Sequence, residues 1–234
     1  MESTTYPAPE APQKAPPRAG AAAKRRGADP YDTLLWRLQP RVEERLGGGC
    51  LLGVTGCDSR AGVSTVATNL AIRAADNLQR PALLVDANSV SPRLARSFQL
   101  KKAKGLADLL AGECDLNEAA HESRVDGLQI MPMGSKGLID RIGIDHRIVD
   151  NLLESLRESF EMVVFDLPSV AEMRQMLLIA RRLDGVVMAV RSEATPAGRL
   201  QESAETLADD GVPVVGSVLT RRKHYTPGWL RRWL

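Results

Sequence analysis

A short stretch of glycine and hydroxyl residues has the composition of a phosphate-binding loop. Residues 56–65 read Gly-Cys-Asp-Ser-Arg-Ala-Gly-Val-Ser-Thr and stand between an apolar run and a helical pattern. In a working loop of the type G-x-x-x-x-G-K-S/T, backbone amides wrap the phosphates, a lysine reaches the β and γ phosphates, and a hydroxyl holds magnesium. Gly62, Ser64 and Thr65 are present, and the helix that they open would add its N-terminal amides. The lysine position is Val63, whose alkyl side chain cannot donate to an anion.

Two acidic side chains each follow an apolar run directly. Asp86 comes after Val85, and Asp166 comes after Phe165. In open α/β sheets, functional residues lie at the carboxyl ends of the strands. We therefore expect both carboxylates near the phosphate loop. The alternative is that each acid only caps the element that follows it.

Arg60 is a cation within the loop that lacks its lysine. A guanidinium binds phosphate oxygens in pairs, so Arg60 is a candidate replacement for the lysine. The competing interpretation is an ion pair between Arg60 and Asp58, two residues away. Both alternatives stay open at the level of sequence.

The rest of the chain alternates between apolar strands and helical patterns. Strands are predicted over 51–55, 81–86, 128–132, 162–166, 185–190 and 212–219, and helices over 64–78, 92–98, 105–110, 146–160 and 197–208. In the helix 146–160 the predicted apolar face consists of Ile148, Leu152, Leu153, Leu156 and Phe160. Continuous apolar strands separated by helices predict a doubly wound, mostly parallel sheet in a three-layer α/β/α arrangement.

Four regions follow from composition along the chain. Residues 1–29 are rich in Ala, Pro and Gly and predict a disordered tail. Residues 30–47 predict a helical lead-in that is interrupted at Pro40, and residues 48–220 form the α/β domain. Residues 221–234 are a basic tail whose membrane or partner contacts would be Trp229, Arg231, Arg232 and Trp233. Docking of its indoles on the protein's own core or on a partner subunit is the alternative.

Bulk properties narrow the function classes. The net charge of +2 shows no overall excess of positive charge, so we expect no nucleic-acid partner. The three cysteines have no paired spacing, which favours a reducing, cytoplasmic setting. No apolar run is long enough to span a bilayer, and the N-terminus lacks the apolar core of a signal peptide.

Several segments, taken in order, resemble the bacterial tyrosine kinases and the ParA/MinD-type P-loop ATPases. Residues 65–71 (Thr-Val-Ala-Thr-Asn-Leu-Ala) resemble the first helix of that family, and residues 163–168 (Val-Val-Phe-Asp-Leu-Pro) resemble its Walker B strand. Residues 83–88 are similar to its second acidic motif, residues 105–112 to its Gly-Leu-x-Asp-x-Leu segment, and residues 214–219 to its closing strand. The resemblance covers about residues 50–220. It implies a P-loop fold in which Ser64, Asp86 and Asp166 organise Mg²⁺ in an active relative.

The chain departs from this family at the phosphate loop. Besides Val63 at the lysine, Asp58 is the residue nearest to the second, signature lysine of ParA/MinD-type proteins. Arg60 stands where the family usually has glycine, and Asn88 replaces the second acid of the Asp-x-Asp motif. Arg60, Gly62, Val63, Ser64 and Thr65 are therefore interpreted as a vestigial nucleotide site.

Two further hallmarks of active tyrosine kinases are eroded. The only tyrosines are Tyr6, Tyr31 and Tyr225, so a C-terminal cluster of acceptor tyrosines is missing. The Glu-x-x-Arg-x-x-Arg pattern that builds a ring-shaped oligomer is reduced at most to Asp32 and Arg37. Three losses together predict a pseudoenzyme with no catalytic residue and no required cofactor. Weak binding of ATP or ADP with Mg²⁺ stays open.

The resemblance also implies a biological setting. It suggests a regulator or scaffold in exopolysaccharide or capsule biosynthesis and export, located in the cytoplasm or peripherally on the inner face of the plasma membrane. The expected partner is a membrane-embedded chain-length or export protein, or an active paralogue, and homo-oligomers are compatible with the sequence. One alternative is a weakly active ATPase or tyrosine autokinase. A second is a MinD-like positioning protein that associates with an acidic membrane surface through its tail.

Overall fold

The computed structural model of the protein describes residues 29–43, 48–78, 81–100, 102–135, 137–138 and 145–221, with the backbone alone for 39–43. The tail predicted over 1–29 lies outside the described residues except for Asp29. The C-terminal tail also lies outside them beyond Arg221, including Trp229, Arg231, Arg232 and Trp233. Membrane or partner contact by that tail therefore stays a prediction.

The described residues form seven strands, eight α-helices and one 3-10 helix. The strands are β1 Cys50–Gly56, β2 Ala82–Asp86, β3 His121–Glu122, β4 Leu128–Met131, β5 Met162–Asp166, β6 Gly185–Arg191 and β7 Val214–Thr220. The helices are α1 Pro30–Glu43, α2 Val63–Asn77, α3 Leu94–Ser97, α4 Leu106–Leu110, α5 Leu116–Ala119, α6 His146–Ser159, the 3-10 helix Val170–Gln175, α7 Leu177–Ala180 and α8 Ala197–Asp209. Among these residues, no helix combines the length and the apolar character that crossing a bilayer requires.

The strands form one sheet in the order β3-β4-β2-β5-β1-β6-β7. Every neighbouring pair is parallel except β3 and β4, which run antiparallel. The three central strands are buried along their whole length, because helices cover both faces of the sheet. This arrangement confirms the predicted doubly wound α/β fold.

Alternate side chains of the central strands belong to two separate hydrophobic cores. On one face, Leu52, Leu84 and Val164 pack in a cluster with Leu70 of α2. On the other face, the cluster of Leu51, Leu83 and Val163 includes Leu156 of α6. The period of two along each strand thus divides the apolar residues between two layers.

Helix α1 begins and ends differently from the sequence prediction. Asp29, predicted to belong to the tail, accepts a hydrogen bond from the backbone N–H of Tyr31 at 3.0 Å and so caps the helix, with Pro30 in the first position. The predicted interruption at Pro40 is wrong, since the helix continues to Glu43. Proline forfeits one backbone hydrogen bond of a helix but has a φ angle compatible with it, and here only one turn follows.

The apolar face of α6 is shifted from its prediction. Ile148 is 43 % exposed, and the neighbouring Val149 is buried instead. Leu152, Leu153, Leu156 and Phe160 are buried as expected. A residue near the start of a helix has few preceding neighbours to fix its face, and Val149 lies one turn before Leu153.

The lower edge of the sheet, opposite the phosphate loop, is held by a largely buried ion pair. The guanidinium of Arg157 in α6 donates to both carboxylate oxygens of Asp184 at 2.6 and 2.9 Å, and their side chains are 12 % and 4 % exposed. Asp184 also accepts from the N–H of Leu51 at 2.8 Å, and Arg157 donates to the carbonyl of Gly49 at 2.9 Å. These bonds fix where β1 begins against α6 and β6.

Candidate functional site

The phosphate loop connects β1 to α2 at the carboxyl edge of the sheet. Gly62 has a φ of 89°, in the left-handed region, and it immediately precedes the first residue of α2. A side chain is strained in that conformation, so the loop needs glycine there. Gly56 is crowded as well, because a Cβ at this position would lie 2.7 Å from the Cβ of Ala61. The loop therefore keeps the tight turn and open helix N-terminus that wrap a phosphate.

Hydrogen bonds tie this loop to the rest of the sheet edge. The Thr220 hydroxyl at the end of β7 donates to the carbonyl of Ala61 at 2.6 Å. Below the loop, the Thr55 hydroxyl donates to the carbonyl of Pro168 at 2.6 Å. The loop is thus held between β7 on one side and the segment after β5 on the other.

Val63 takes the lysine position and belongs to the hydrophobic core. Its side chain is only 8 % exposed and clusters with Val54 and Ala61. A Cβ on Gly56 would lie 3.0 Å from Val63 Cγ2, which places the valine under the loop. The position that supplies an ammonium group in a working loop therefore supplies apolar packing here.

Asp166 at the end of β5 is an uncompensated buried acid. It is 1 % exposed, and neither carboxylate oxygen has a hydrogen-bond partner within the described residues. Burial, helped by the negative charge of Asp86, raises the pKa of Asp166 to about 7, although the Ser64 hydroxyl and Arg93 act in the opposite direction. A buried carboxylate without partners favours either a proton or a cation.

Asp86 at the end of β2 lies beside Asp166 in the β2/β5 register but has partners. Its Oδ2 accepts from the N–H groups of Arg93 and Leu94, both at 2.9 Å, and its Oδ1 accepts from Asn88 N–H at 3.2 Å. Burial raises the pKa of Asp86, and these backbone bonds oppose the rise. The contacts of Asp86 agree with the alternative that this acid caps the segment following its strand. A role of Asp86 in binding Mg²⁺ stays a prediction.

Asn88, where the family has a second acid, also serves the backbone. Its side-chain oxygen accepts from the N–H of Ser91 at 2.8 Å. The segment after β2 is therefore organised by Asp86 and Asn88 together before α3 begins at Leu94.

A Mg²⁺ ion fits this edge through Asp166 better than through Asp86. The orphaned oxygens of Asp166 are suitable hard ligands, and the Ser64 hydroxyl lies close enough to affect the pKa of that carboxyl. Bound there, Mg²⁺ would neutralise charge on phosphate oxygens. Within the described ranges, no group of three or more His, Cys, Asp or Glu side chains forms a cage for a metal ion.

Arg60 is an exposed residue of the loop. Its side chain is exposed and lines a small cavity together with Asp58 and Arg191, whereas Gly62, Ser64 and Thr65 do not line that cavity. In the part of the chain that the structure describes, no ion pair joins Arg60 to Asp58. Its role in binding nucleotide stays a prediction.

A larger groove that the sequence did not reveal opens beside the helix N-terminus. It measures about 470 Å³ and lies between α1, the first turn of α2 and the end of β7. Its lining includes Tyr31, Leu34, Arg37, Thr65, Val218 and Arg221. Burial, together with the charge of Asp29, raises the pKa of Tyr31. Only the three-dimensional packing of α1 against α2 brings these distant residues together.

Comparisons with known proteins give a consistent family assignment. The family model described as cellulose biosynthesis protein BcsQ matches residues 50–210. A relative named putative tyrosine-protein kinase EpsB, from Ralstonia nicotianae, is 30 % identical over 175 residues, which are 73 % of this chain and 23 % of EpsB. The chain thus spans about a quarter of the length of that relative.

Two solved structures show the same fold. The kinase domain of the Escherichia coli tyrosine kinase ETK superposes with a TM-score of 0.69 at 21 % identity and covers 82 % of this chain and 77 % of its own. The septum site-determining protein MinD from Pyrococcus horikoshii, in complex with Mg-ADP, gives 0.60 at 19 % identity, with 79 % of this chain and 76 % of its own covered. The described domain therefore has the P-loop NTPase fold.

Proposed function

Because the chain belongs to the family of the cellulose biosynthesis protein BcsQ and is homologous to bacterial tyrosine kinases, we propose that it is a catalytically degenerate P-loop protein. In this proposal it acts as a regulator or scaffold in exopolysaccharide biosynthesis and export and does not turn over ATP. The name of the matching family supports the pathway class. The geometry of the phosphate loop supports the loss of turnover.

One observation carries the proposal: Val63 is packed into the core where a working loop has its lysine. Ser64, the residue after Val63, lies beside the buried carboxyl of Asp166, and the buried Asp86 is the neighbour of Asp166 on the adjacent strand. A triphosphate that entered the loop would meet acidic groups without the ammonium that normally balances them. The loop keeps its shape but has lost its charge balance.

The expected energetic consequences are large enough to measure. A hydrogen bond to a charged group contributes about 1.5–3 kcal/mol, so its loss weakens nucleotide binding by roughly 10- to 150-fold. Loss of a donor aimed at transition-state charge lowers a rate by roughly 100- to 1000-fold. Weak binding through the remaining backbone amides is compatible with the proposal, whereas efficient turnover is not.

The test is calorimetric titration of Mg-ATP and Mg-ADP into the protein and its Val63→Lys variant. We expect no binding by the native protein below millimolar nucleotide and at least about tenfold tighter binding by the variant. Val63→Met is the matched control, because it lengthens the side chain without adding charge and should not restore binding. Far-UV circular dichroism and thermal unfolding establish that each variant is folded.

The opposite result has a definite meaning. Micromolar Mg-ATP binding with phosphate release by the native protein would contradict the proposal and favour the alternative, a weakly active ATPase or tyrosine autokinase. Arg60 would then be the next residue to replace.

The proposed partner is a membrane-embedded chain-length or export protein of the polysaccharide system, or an active kinase paralogue. Homology to the putative tyrosine-protein kinase EpsB, of which this chain covers 23 %, supports this class of partner. The proposed location is the cytoplasm or the inner face of the plasma membrane. The basic, tryptophan-containing residues 221–234 support peripheral association.

A further inference from the structure

The groove between α1, α2 and the end of β7 has an apolar lining that the described residues leave uncovered. Its volume is about 470 Å³. Tyr31, Leu34 and Val218 line it and pack against the core on the α2 side of the sheet. Leu219, which also lines it, is 63 % exposed. The groove therefore has the size and the chemistry to bind a bulky apolar group.

The chain itself enters this groove at the end of β7. Arg221 directly follows the strand and lines the groove. Its φ is 54°, and a positive φ in a residue other than glycine is typical of a turn. The chain therefore leaves the direction of β7 at the groove, and residues 222–234 begin beside the apolar lining.

Residues 222–234 carry apolar side chains of the kind that such a groove binds. Near their end they include Trp229, Leu230, Trp233 and Leu234. Trp229 follows Arg221 by eight positions. An extended chain covers about 3.3–3.6 Å per residue, so Trp229 can reach roughly 26–29 Å from Arg221. This reach is more than enough to place an indole, which has a large apolar surface, anywhere in the groove.

The groove and residues 222–234 also differ in charge. At the start of α1, next to Tyr31, Arg73 pairs with three carboxylates at 2.6, 3.6 and 3.4 Å, those of Asp29, Asp32 and Asp76. Three carboxylates around one guanidinium leave an excess of negative charge, and the Asp32 side chain is 46 % exposed. Residues 222–234 contain no acidic residue and four basic ones, Arg222, Lys223, Arg231 and Arg232.

We propose that residues 222–234 fold back onto this groove and cover it with the indoles of Trp229 and Trp233. Their basic side chains then face the carboxylates near Tyr31 rather than Arg37, which lines the groove about 9 Å further along α1. The covalent connection at Arg221 gives the segment an effective concentration of about millimolar, so a modest apolar contact is sufficient for docking.

Docking of this segment affects the membrane association proposed above. An anionic bilayer and the groove would bind the same indoles and the same basic side chains. The segment must therefore leave the groove before it can lie on a membrane. The groove thus sets how readily the chain associates with a bilayer.

The test is acrylamide quenching of tryptophan fluorescence in the full chain with Trp36→Phe, without nucleotide or vesicles. The chain has three tryptophans, and Trp36 is 71 % exposed, so its replacement leaves the signal to Trp229 and Trp233. We expect a quenching constant at least about twofold lower in the folded protein than in urea, because the groove shields the indoles. Since no nucleotide is present, the result does not depend on whether Val63→Lys restores nucleotide binding.

Two matched substitutions in the Trp36→Phe protein locate the docked indoles. Leu219→Lys removes an exposed apolar side chain from the groove and adds a repelling charge, so it should raise the quenching constant at least about twofold. Ile148→Lys makes the same kind of change at an exposed residue of α6, on the opposite face of the sheet, and should leave the constant unchanged. Far-UV circular dichroism establishes that both variants are folded.

A third substitution tests the charge contribution and leaves the apolar lining intact. Asp32→Asn should raise the quenching constant at low ionic strength, and this effect should disappear at high salt, which screens exposed charges. Glu154→Gln, at an exposed position of α6, is its control and should have no effect at either ionic strength.

Four results would overturn the proposal. Equal quenching in the folded protein and in urea would show that the indoles are not docked. Equal effects of Leu219→Lys and Ile148→Lys would show that they dock elsewhere. Protection that declines on dilution would identify a second copy of the chain as the binding partner. Protection that appears only after addition of phosphatidylglycerol vesicles would identify the membrane instead.

Discussion

At the residue scale, the two strand-end acids look equivalent in the sequence and differ in the fold. Both Asp86 and Asp166 follow apolar strands, but only Asp86 receives backbone N–H donors. The difference arises from the next segment: the chain after β2 turns back toward Asp86, whereas the chain after Asp166 continues through Leu167 and Pro168. Sequence spacing predicted where both acids lie, but it could not predict which one would be left without a partner.

This difference predicts a pH-dependent stability that depends on Asp166. The pKa of its carboxyl is about 7 in the folded protein and near the ordinary 3.8 in the unfolded chain. The folded state therefore holds the extra proton between these values, and the stability from protonated Asp166 is complete below about pH 4 and lost as the pH rises through about 7. Asp166→Asn has no such proton to lose, so its stability relative to the native protein should rise with pH, by roughly 3 kcal/mol between pH 5 and pH 8.

Urea unfolding of both proteins at pH 5 and pH 8, without divalent cations, measures this effect. A stability difference between native protein and variant that is the same at the two pH values would contradict the prediction. Asp86→Asn is the control from the neighbouring strand. This substitution disturbs a side chain that accepts three backbone hydrogen bonds. We expect it to lower the free energy of unfolding by about 1–3 kcal/mol at pH 5, where Asp166→Asn changes stability least.

The loop residues show the same division between what sequence can and cannot predict. Gly62, Ser64 and Val63 were identified from motif spacing, since that spacing is local to one loop. Arg191 and Thr195 carry no recognisable motif. They meet Arg60 only because β6 lies next to β1 in the sheet. A contact between segments about 130 positions apart requires the strand order, which the sequence pattern did not provide.

At the scale of elements, most segments were predicted close to their observed positions, and the elements that were missed are among the shortest. The buried strands β1, β2, β4 and β5 and the helices α2 and α8 lie within a few residues of their predicted positions. The two-residue strand β3 and the single-turn helix α5 were missed, because so few residues cannot display a period. Between β5 and β6 the chain forms a 3-10 helix followed by α7.

The ion pair between α6 and the residue preceding β6 should contribute far more to stability than surface pairs of the same type. Replacing Arg157 by Met removes both guanidinium donors from the buried carboxylate of Asp184, and we expect the free energy of unfolding to fall by about 3–5 kcal/mol. Arg181→Gln breaks an exposed Arg–Asp pair, with Asp210, and should cost less than about 1 kcal/mol. Chemical denaturation of the two variants at neutral pH makes the comparison. Similar losses for both would show that the pair between α6 and β6 does not support the lower edge of the sheet.

At the scale of the whole molecule, the sheet separates two hydrophobic cores that lie on its opposite faces. Leu70 packs on the α2 side and Leu156 on the α6 side, and both are fully buried. The sequence predicted this three-layer arrangement because its strands are apolar on both faces. The pairing order of the strands and the groove beside α1 could not be predicted, since both depend on how distant segments pack.

The two cores should respond independently to cavity-forming mutations. Leu70→Ala and Leu156→Ala should each lower the free energy of unfolding by about 2–5 kcal/mol. The double variant should lose the sum to within about 0.5 kcal/mol, because the altered side chains lie on opposite faces of the sheet. Denaturant unfolding of the four proteins forms the cycle. A coupling clearly larger than that value would mean that the sheet transmits packing changes from one face to the other.

The hydrogen bond from Thr220 to the carbonyl of Ala61 makes the end of the last strand a mechanical support of the phosphate loop. These residues are 159 positions apart in the chain, yet a single bond connects them. A displacement of the end of β7 would therefore also act on the loop at Ala61. The carbonyl of Thr220 also accepts from the N–H of Ser192 at 3.0 Å, so the phosphate loop and the turn after β6 share one point of attachment.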